Sequence, residues 1–244
     1  MNGKQNLKVL ELRNYLIKPG ERDRFIKYFE NHFIDSQIEL GSYPLGQFTV
    51  EGEPDKFFWI RGFADMQSRL NFLDAFYVRG AVWKQFGPEA NEMLLDWTDV
   101  YLLRPLGDAK RTQDSAKTIN SGEFEKLKSV VTIDFYFAKN NRLDDLINLF
   151  QADYIPFLDS QKINDTMLFV SEMAENDFPR LPVIQDKNLL VTISSYENEA
   201  DYRAKSERID SINNELKNRS SEFIADKRSL IIYSTRKAFV SDAS

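Results

Sequence analysis

An apolar pattern that changes period in a fixed order, and then does so again, constrains the fold of this chain more than any motif in it. Residues 8–18 (KVLELRNYLIK) alternate and stop at Pro19-Gly20, which predicts a strand closed by a turn. From Glu21 the spacing becomes helical. Phe25, Ile26, Phe29 and Phe33 fall on one face as far as about Leu40. GQFTVEG and KFFWIRGF follow, split by the turn residues Glu53-Pro54-Asp55, and predict an antiparallel pair. A second helix carries Met66, Leu70, Leu73 and Tyr77 and ends at Gly80; a shorter helical piece with Trp83 leads to residues 93–95, and the strand DVYLLRPL closes the unit.

The same β-α-β-β-α-β order returns after a polar stretch. VVTIDFYFAK predicts a strand, and Leu143, Leu146, Ile147, Phe150 and Tyr154 mark a helix. TMLFVSEM and LLVTISSY predict a strand pair, residues 198–221 a long helix, and RSLIIYSTRK a last strand. In the long helix Tyr202, Ile209 and Leu216 recur every seven residues, a stripe suited to core packing or to a partner. Setting Tyr15 on Tyr136 brings Lys18 onto Lys139, Phe25 onto Leu146, Ile26 onto Ile147 and Phe29 onto Phe150. The expected architecture is α+β: tandem ferredoxin-like βαββαβ domains at residues 1–106 and 127–240, joined by a linker at 107–126 of polar composition.

Composition narrows the function classes. A formal net charge of -6 argues against nucleic acid, which calls for a clustered positive field. The absence of cysteine removes disulfides, thiolate nucleophiles and iron–sulfur or zinc-thiolate sites. With one histidine and no converging set of acids, no metal site and no cofactor are expected. No signal peptide or long apolar run stands out, so no transmembrane segment is expected and the cytoplasm is the expected location.

ELRNYLIKPG (residues 11–20), LGQF (45–48), FFWIRGFADM (57–66), AFY (75–77) and DVYLLRP (99–105) together resemble the NIPSNAP domain. The resemblance covers the first half to about Leu106; the second half shares only the layout, with TISSY (192–196) standing where WIRGF does. It implies a dimeric α/β-barrel arrangement, in which two ferredoxin-like sheets pack face to face. The barrel could form as a pseudo-dimer within the chain, or between chains of a homodimer. The superfamily includes cofactor-independent monooxygenases, haem-degrading enzymes and stress-response binding proteins, so the resemblance implies a fold and no particular reaction.

Strand alternation sorts the candidate site residues. Leu10, Leu12 and Leu16 share one face of the first strand, and Glu11, Arg13 and Tyr15 the other. Phe58 and Ile60 oppose Trp59 and Arg61; Phe48 and Val50 oppose Gln47 and Thr49. The greasy face is expected to carry the helices and the amphiphilic face to line a polar barrel cavity. There Glu11 pairs with Arg13 or Arg61, and Glu11, Arg13, Tyr15, Gln47, Trp59 and Arg61 could hold a small anionic or aromatic ligand. His32 is expected at a helix boundary, Trp83 and Trp97 in packing, and Asp65 as a helix N-cap. No catalytic residue is assigned. Two uses of the cavity compete: a binding or scaffold protein, or a cofactor-independent monooxygenase or isomerase with Arg13 and Arg61 holding an anion and Tyr15 or Glu11 moving a proton.

Overall fold

The computed structural model describes residues 6–106, 119–120, 127–163, 166–212 and 214–235. Its first half runs β1 (Val9–Ile17), α1 (Arg22–His32), α2 (Ile34–Glu39), β2 (Tyr43–Val50), β3 (Glu53–Phe63), α3 (Met66–Leu73), α4 (Ala81–Met93) and β4 (Leu94–Pro105). The second runs β5 (Val130–Ala138), α5 (Leu143–Leu149), α6 (Ile155–Ser160), β6 (Thr166–Ser171), β7 (Leu189–Tyr196), α7 (Glu199–Ile212), α8 (Asn214–Ser221) and β8 (Ile224–Ser234). A short pair of Asn6–Leu7 with Ile119–Asn120 lies apart from these. The rest of the 107–126 linker falls outside the described residues.

All eight long strands close into one antiparallel barrel, β8-β2-β3-β1-β4-β6-β7-β5, with β5 pairing back onto β8. The order within the first half is β4-β1-β3-β2 and within the second β8-β5-β7-β6, the same pattern of pairings used twice. The barrel therefore closes within a single chain. Its two seams between the halves are short. β4 meets β6 over Leu103↔Ser171, Arg104↔Val170 and Pro105↔Phe169, and β8 meets β2 over Ile232↔Val50, Tyr233↔Thr49 and Ser234↔Phe48.

One apolar cluster draws on every strand: Leu10, Leu12, Phe48, Val50, Phe58, Ile60, Tyr101, Leu103, Val131, Ile133, Phe135, Phe169, Val191, Ile193, Leu230 and Ile232 belong to it. These alternate positions fill the lumen, and this corrects the orientation expected from the sequence. The greasy strand faces look into the barrel; Glu11, Arg13, Tyr15, Gln47, Trp59 and Arg61 lie on the outer face, under the helices. The physical reason is space. An eight-stranded barrel is just wide enough for side chains to fill, so branched aliphatic residues pack it without leaving charges unpartnered. A polar barrel cavity is accordingly not what the lumen provides. Its polar feature lies toward one end, where Arg228 of β8 reaches Asp99 of β4 with two bonds of 3.2 and 2.8 Å, and Asn14 donates to the same carboxylate at 2.9 Å.

The helices cover the outer faces. Phe25, Phe29 and Phe33 follow one stripe of α1 and its end, and pack with Phe72, Leu73 and Phe76 on Tyr15, Ile17, Phe57, Trp59 and Phe63. Asp65 caps α3 as expected, accepting the Ser68 N–H at 2.7 Å. After α3 the chain widens into a π-helical turn, Asp74–Arg79, which stops where Gly80 passes close to the turn's carbonyls; a Cβ there would lie 2.3 Å from the Phe76 oxygen. His32 stacks on Phe86 with ring centroids 4.0 Å apart, a boundary role as expected. In the second half Tyr202 and Ile209 of the seven-residue stripe pack with Val130 and Tyr196, so this part of the stripe serves the core.

Leu12 has no exposure and sits among lumen residues from both halves. Leu12→Ala is expected to lower unfolding stability by about 2–5 kcal/mol in urea denaturation. Because one chain closes the barrel, the thermal midpoint should not depend on protein concentration, which differential scanning at several concentrations would check.

Candidate functional site

The outer face of the first sheet holds an ionic knot with Glu11 at its centre. β1 places Glu11 opposite Arg61 of β3 and Arg13 opposite Trp59. Glu11 Oε2 accepts from Arg13 Nη1 at 2.8 Å and from Arg61 Nε at 3.0 Å, and Arg61 Nη2 also bonds it; Oε1 accepts from Arg69 Nε of α3 at 2.7 Å. Arg61 Nη1 donates to Gln37 Oε1 of α2 at 3.2 Å, and Arg13 Nε to the Tyr15 hydroxyl at 2.8 Å. Arg69 Nη1 bonds Asn176 at 3.1 Å and Asp177 at 2.9 Å, both on the segment between β6 and β7. Glu11 and all three arginines are at most 1% exposed.

Three guanidiniums against Glu11 and Asp177 leave one positive charge in excess. Aromatic rings absorb part of it: the Arg61 Cζ lies 5.0 Å from the Trp59 and Phe72 ring centroids and 5.3 Å from that of Phe63, and Arg13 Cζ lies 5.4 and 5.5 Å from those of Tyr15 and Trp59. Burial alone would push the Glu11 carboxyl up, but Arg61, then Arg13 and Arg69, overcome it and hold the carboxyl well below the usual carboxylate range. Burial raises the Tyr15 hydroxyl above its ordinary value, with Arg13 pulling the other way.

Beside the knot, between sheet and helices, lies a cavity of about 280 Å³. Tyr15, Phe29, Trp59, Phe76 and Trp83 line it, Gln37 adds an amide, and exposed Trp97 and Arg180 mark its outer end. The indole N–H of Trp59 is buried with no hydrogen-bond partner, as are Arg69 Nη2 and Gln47 Nε2. The chemistry on offer is a mostly aromatic slot with the Trp59 indole and the Gln37 amide in its wall and a phenol held by a guanidinium. The slot suits a planar ligand.

The structure thus brings all six expected residues into one region. Glu11, Arg13 and Arg61 make the knot, Tyr15 and Trp59 line the cavity, and Gln47 pairs in register with Trp59. Trp97, expected in packing, is instead 42% exposed. The sequence reading missed Arg69, Gln37, Phe178 and Arg180. For Arg69 a signal existed, since it falls on the same face of α3 as Met66 and Leu73. Phe178 and Arg180 belong to an irregular segment, and no periodicity marks them.

Among its described residues the second half has no such knot. In its ladder Thr132 pairs with Ser194, and Asp134 with Thr192, where the first half pairs Glu11 with Arg61 and Arg13 with Trp59. A larger cavity of about 670 Å³ lies there, lined among others by Thr132, Asp134, Tyr136 and Tyr196. Asp134 is already bound by Lys227 at 3.1 Å and by Ser229 at 2.5 Å.

A closed antiparallel α+β barrel with helices on its outer face is a fold shared by several solved structures. A candidate monooxygenase from Lactobacillus acidophilus NCFM superposes with a TM-score of 0.57 at 13% identity, covering 93% of this chain and 94% of that one. A second, from Fusobacterium nucleatum subsp. nucleatum ATCC 25586, gives 0.59 at 10% identity over 94% and 93%. An anthrone oxidase-like protein gives 0.58 at 8% identity over 95% and 93%. Such identities carry the fold alone. Residues 10–110, the half that holds the knot, match the model of the NIPSNAP family. A search of curated proteins finds no match. Among the described residues no helix is long and apolar enough to cross a membrane.

Removing one partner of a buried charge network costs about 3–5 kcal/mol, so Glu11→Gln is expected to lower stability by that order, or to prevent folding, as read by urea denaturation at neutral pH. In the unfolded chain Glu11 titrates near about 4.3, above its folded value. Its contribution is therefore present above that pH and lost as pH falls toward the folded value. Wild-type stability should decline with pH below about 4, with a shallower slope in Glu11→Gln.

Proposed function

We propose that this chain is a small-molecule-binding protein whose site is the aromatic slot under the helices of the NIPSNAP domain. The observation that carries the reading is the unpartnered, buried indole N–H of Trp59, a residue in the wall of a mostly aromatic slot. A buried donor without a partner is costly, and a ligand acceptor would satisfy it. The knot beside the slot supports the reading too, since it fixes Trp59 and Tyr15 by stacking and hydrogen bonding before any ligand arrives. The second-half cavity is the weaker candidate because Asp134 in its wall is already paired with Lys227.

In this reading the architecture is a tandem duplication: two ferredoxin-like units, residues 1–106 and 127–240 joined by a linker at 107–126, meet as a pseudo-dimer. The repeated strand order and the matched places of Tyr15 and Tyr136 support it. The acidic charge and the lack of cysteine fit a cytoplasmic protein.

A second reading, a cofactor-independent oxygenase acting on a small aromatic metabolite, draws on one feature. The Tyr15 hydroxyl, held by Arg13 Nε, belongs to a residue of the slot wall and could exchange a proton with a bound phenol or enol. Similarly folded proteins, two candidate monooxygenases and an anthrone oxidase-like protein, point the same way.

Titration with 2-naphthol, followed by tryptophan fluorescence, tests the binding reading. Saturable quenching is expected in the wild type. Ala90→Phe, which fills the slot from α4, should abolish it while leaving the circular dichroism spectrum unchanged. Equal quenching in both proteins would sink the assignment. For the oxygenase reading, oxygen uptake with anthrone as substrate is expected to be lost in Tyr15→Phe; no uptake by the wild type would remove it.

A further inference from the structure

The first-half slot is not completed by the first half. Residues 172–188, the connection between β6 and β7, leave the second half and lie across the helices of the NIPSNAP domain. Phe178 is buried in the helix–sheet core there, packing toward Tyr77, with Leu181 and Val183 beside it. Asn176 and Asp177 take the outer nitrogen of Arg69, and the Ile184 N–H bonds the Val100 oxygen of β4 at 2.6 Å. The segment is also tied to itself: Asn176 Nδ2 donates to the Leu181 oxygen at 2.9 Å, and the Leu181 N–H to the Phe178 oxygen at 3.1 Å. It is a strap anchored at several points.

The strap presents Arg180. Pro179 and Pro182 flank this turn, and proline fixes φ, so the backbone carrying Arg180 has little freedom. Arg180 is exposed, lines the outer end of the slot, and makes no ion pair among the described residues. In a chain of net charge -6, a cation at the mouth of an aromatic slot runs against the overall balance. The inner end has the same sign, since the knot beside Tyr15 and Trp59 holds three guanidiniums against two carboxylates. Both ends of the slot thus present positive charge between ring faces.

We propose that the ligand of this slot is a planar aromatic anion and that Arg180, supplied by the second half, is the residue that reads its charge. The ring lies between the aromatic walls, and its carboxylate or equivalent oxyanion meets the guanidinium at the mouth, where Arg geometry allows two parallel bonds. The excess charge of the knot adds an attractive field from within. This inference rests on the slot being a binding site; the experiment separates the two.

The probes are 2-naphthoate and 2-naphthamide, near-isosteres differing in charge, titrated into the full chain and followed by tryptophan fluorescence and calorimetry. The wild type is expected to prefer the naphthoate by about tenfold or more, the range of one charge-assisted hydrogen bond. The preference should shrink as salt is raised. Arg180→Gln should bring the naphthoate to within about threefold of the amide, a residual that screened long-range charge can supply, and leave the amide's affinity unchanged. Ala90→Phe should abolish binding of both. Equal affinity of the two probes for the wild type overturns the anion proposal and leaves the slot standing. An undiminished preference in Arg180→Gln overturns the role of Arg180. Failure of both probes to bind, or binding unaffected by Ala90→Phe, overturns the slot as the site and this inference with it.

Discussion

The carboxylate of Glu11 is the one group on which the outer face of the first half depends. Three guanidiniums buried beneath helices repel one another, and each would be costly alone. A single carboxylate accepts from all three and in doing so ties β1, β3 and α3 together. The arginines then serve a second purpose. Arg13 and Arg61 lie over the rings of Tyr15 and Trp59, so the ionic centre also holds two aromatic walls of the slot. Structure and site share the same atoms here, and no substitution in the knot would touch one alone.

Much of the fold is legible in the sequence. The repeated change of period located the eight strands, and the boundary residues Pro19-Gly20, Asp65 and Gly80 mark ends or turns that the structure has. Which sheet face turns inward was not legible. Strands such as β1 and β7 are buried on both sides, so alternation divides their residues into two sets without saying which set meets the helices. Size was the clue. The set with Phe57, Trp59 and Phe63 is bulky and aromatic and matches Phe25, Phe29 and Phe33 of α1, while the set with Leu10, Leu12, Ile60, Ile133 and Ile193 is mostly aliphatic and suits a narrow lumen. The six candidate residues were found together because they share a face, whichever way that face turns.

The two halves use the same ladder for different ends. At positions paired alike, Glu11 with Arg61 gives way to Thr132 with Ser194, and Trp59 to Thr192. Tyr15 and Tyr136 persist, both buried and both with hydroxyls raised above their ordinary range by burial. Thr192 and Ser194 standing where Trp59 and Arg61 do leaves room for the larger second cavity. The strap links the halves in the other direction, since the half without a knot supplies Phe178, Arg180 and Leu181 to the slot lining.

The short seams carry a mechanical consequence. Within each half the central strands pair over long ladders, but each seam is held by three residue pairs. Thermal fluctuations that part the strands should concentrate there, with the halves swinging as two stiff shells about a shared greasy axis. The strap hangs from β6, which borders one seam, so each swing tugs on the rim of the slot. The outer end of the cavity is thereby geared to breathing of the barrel wall.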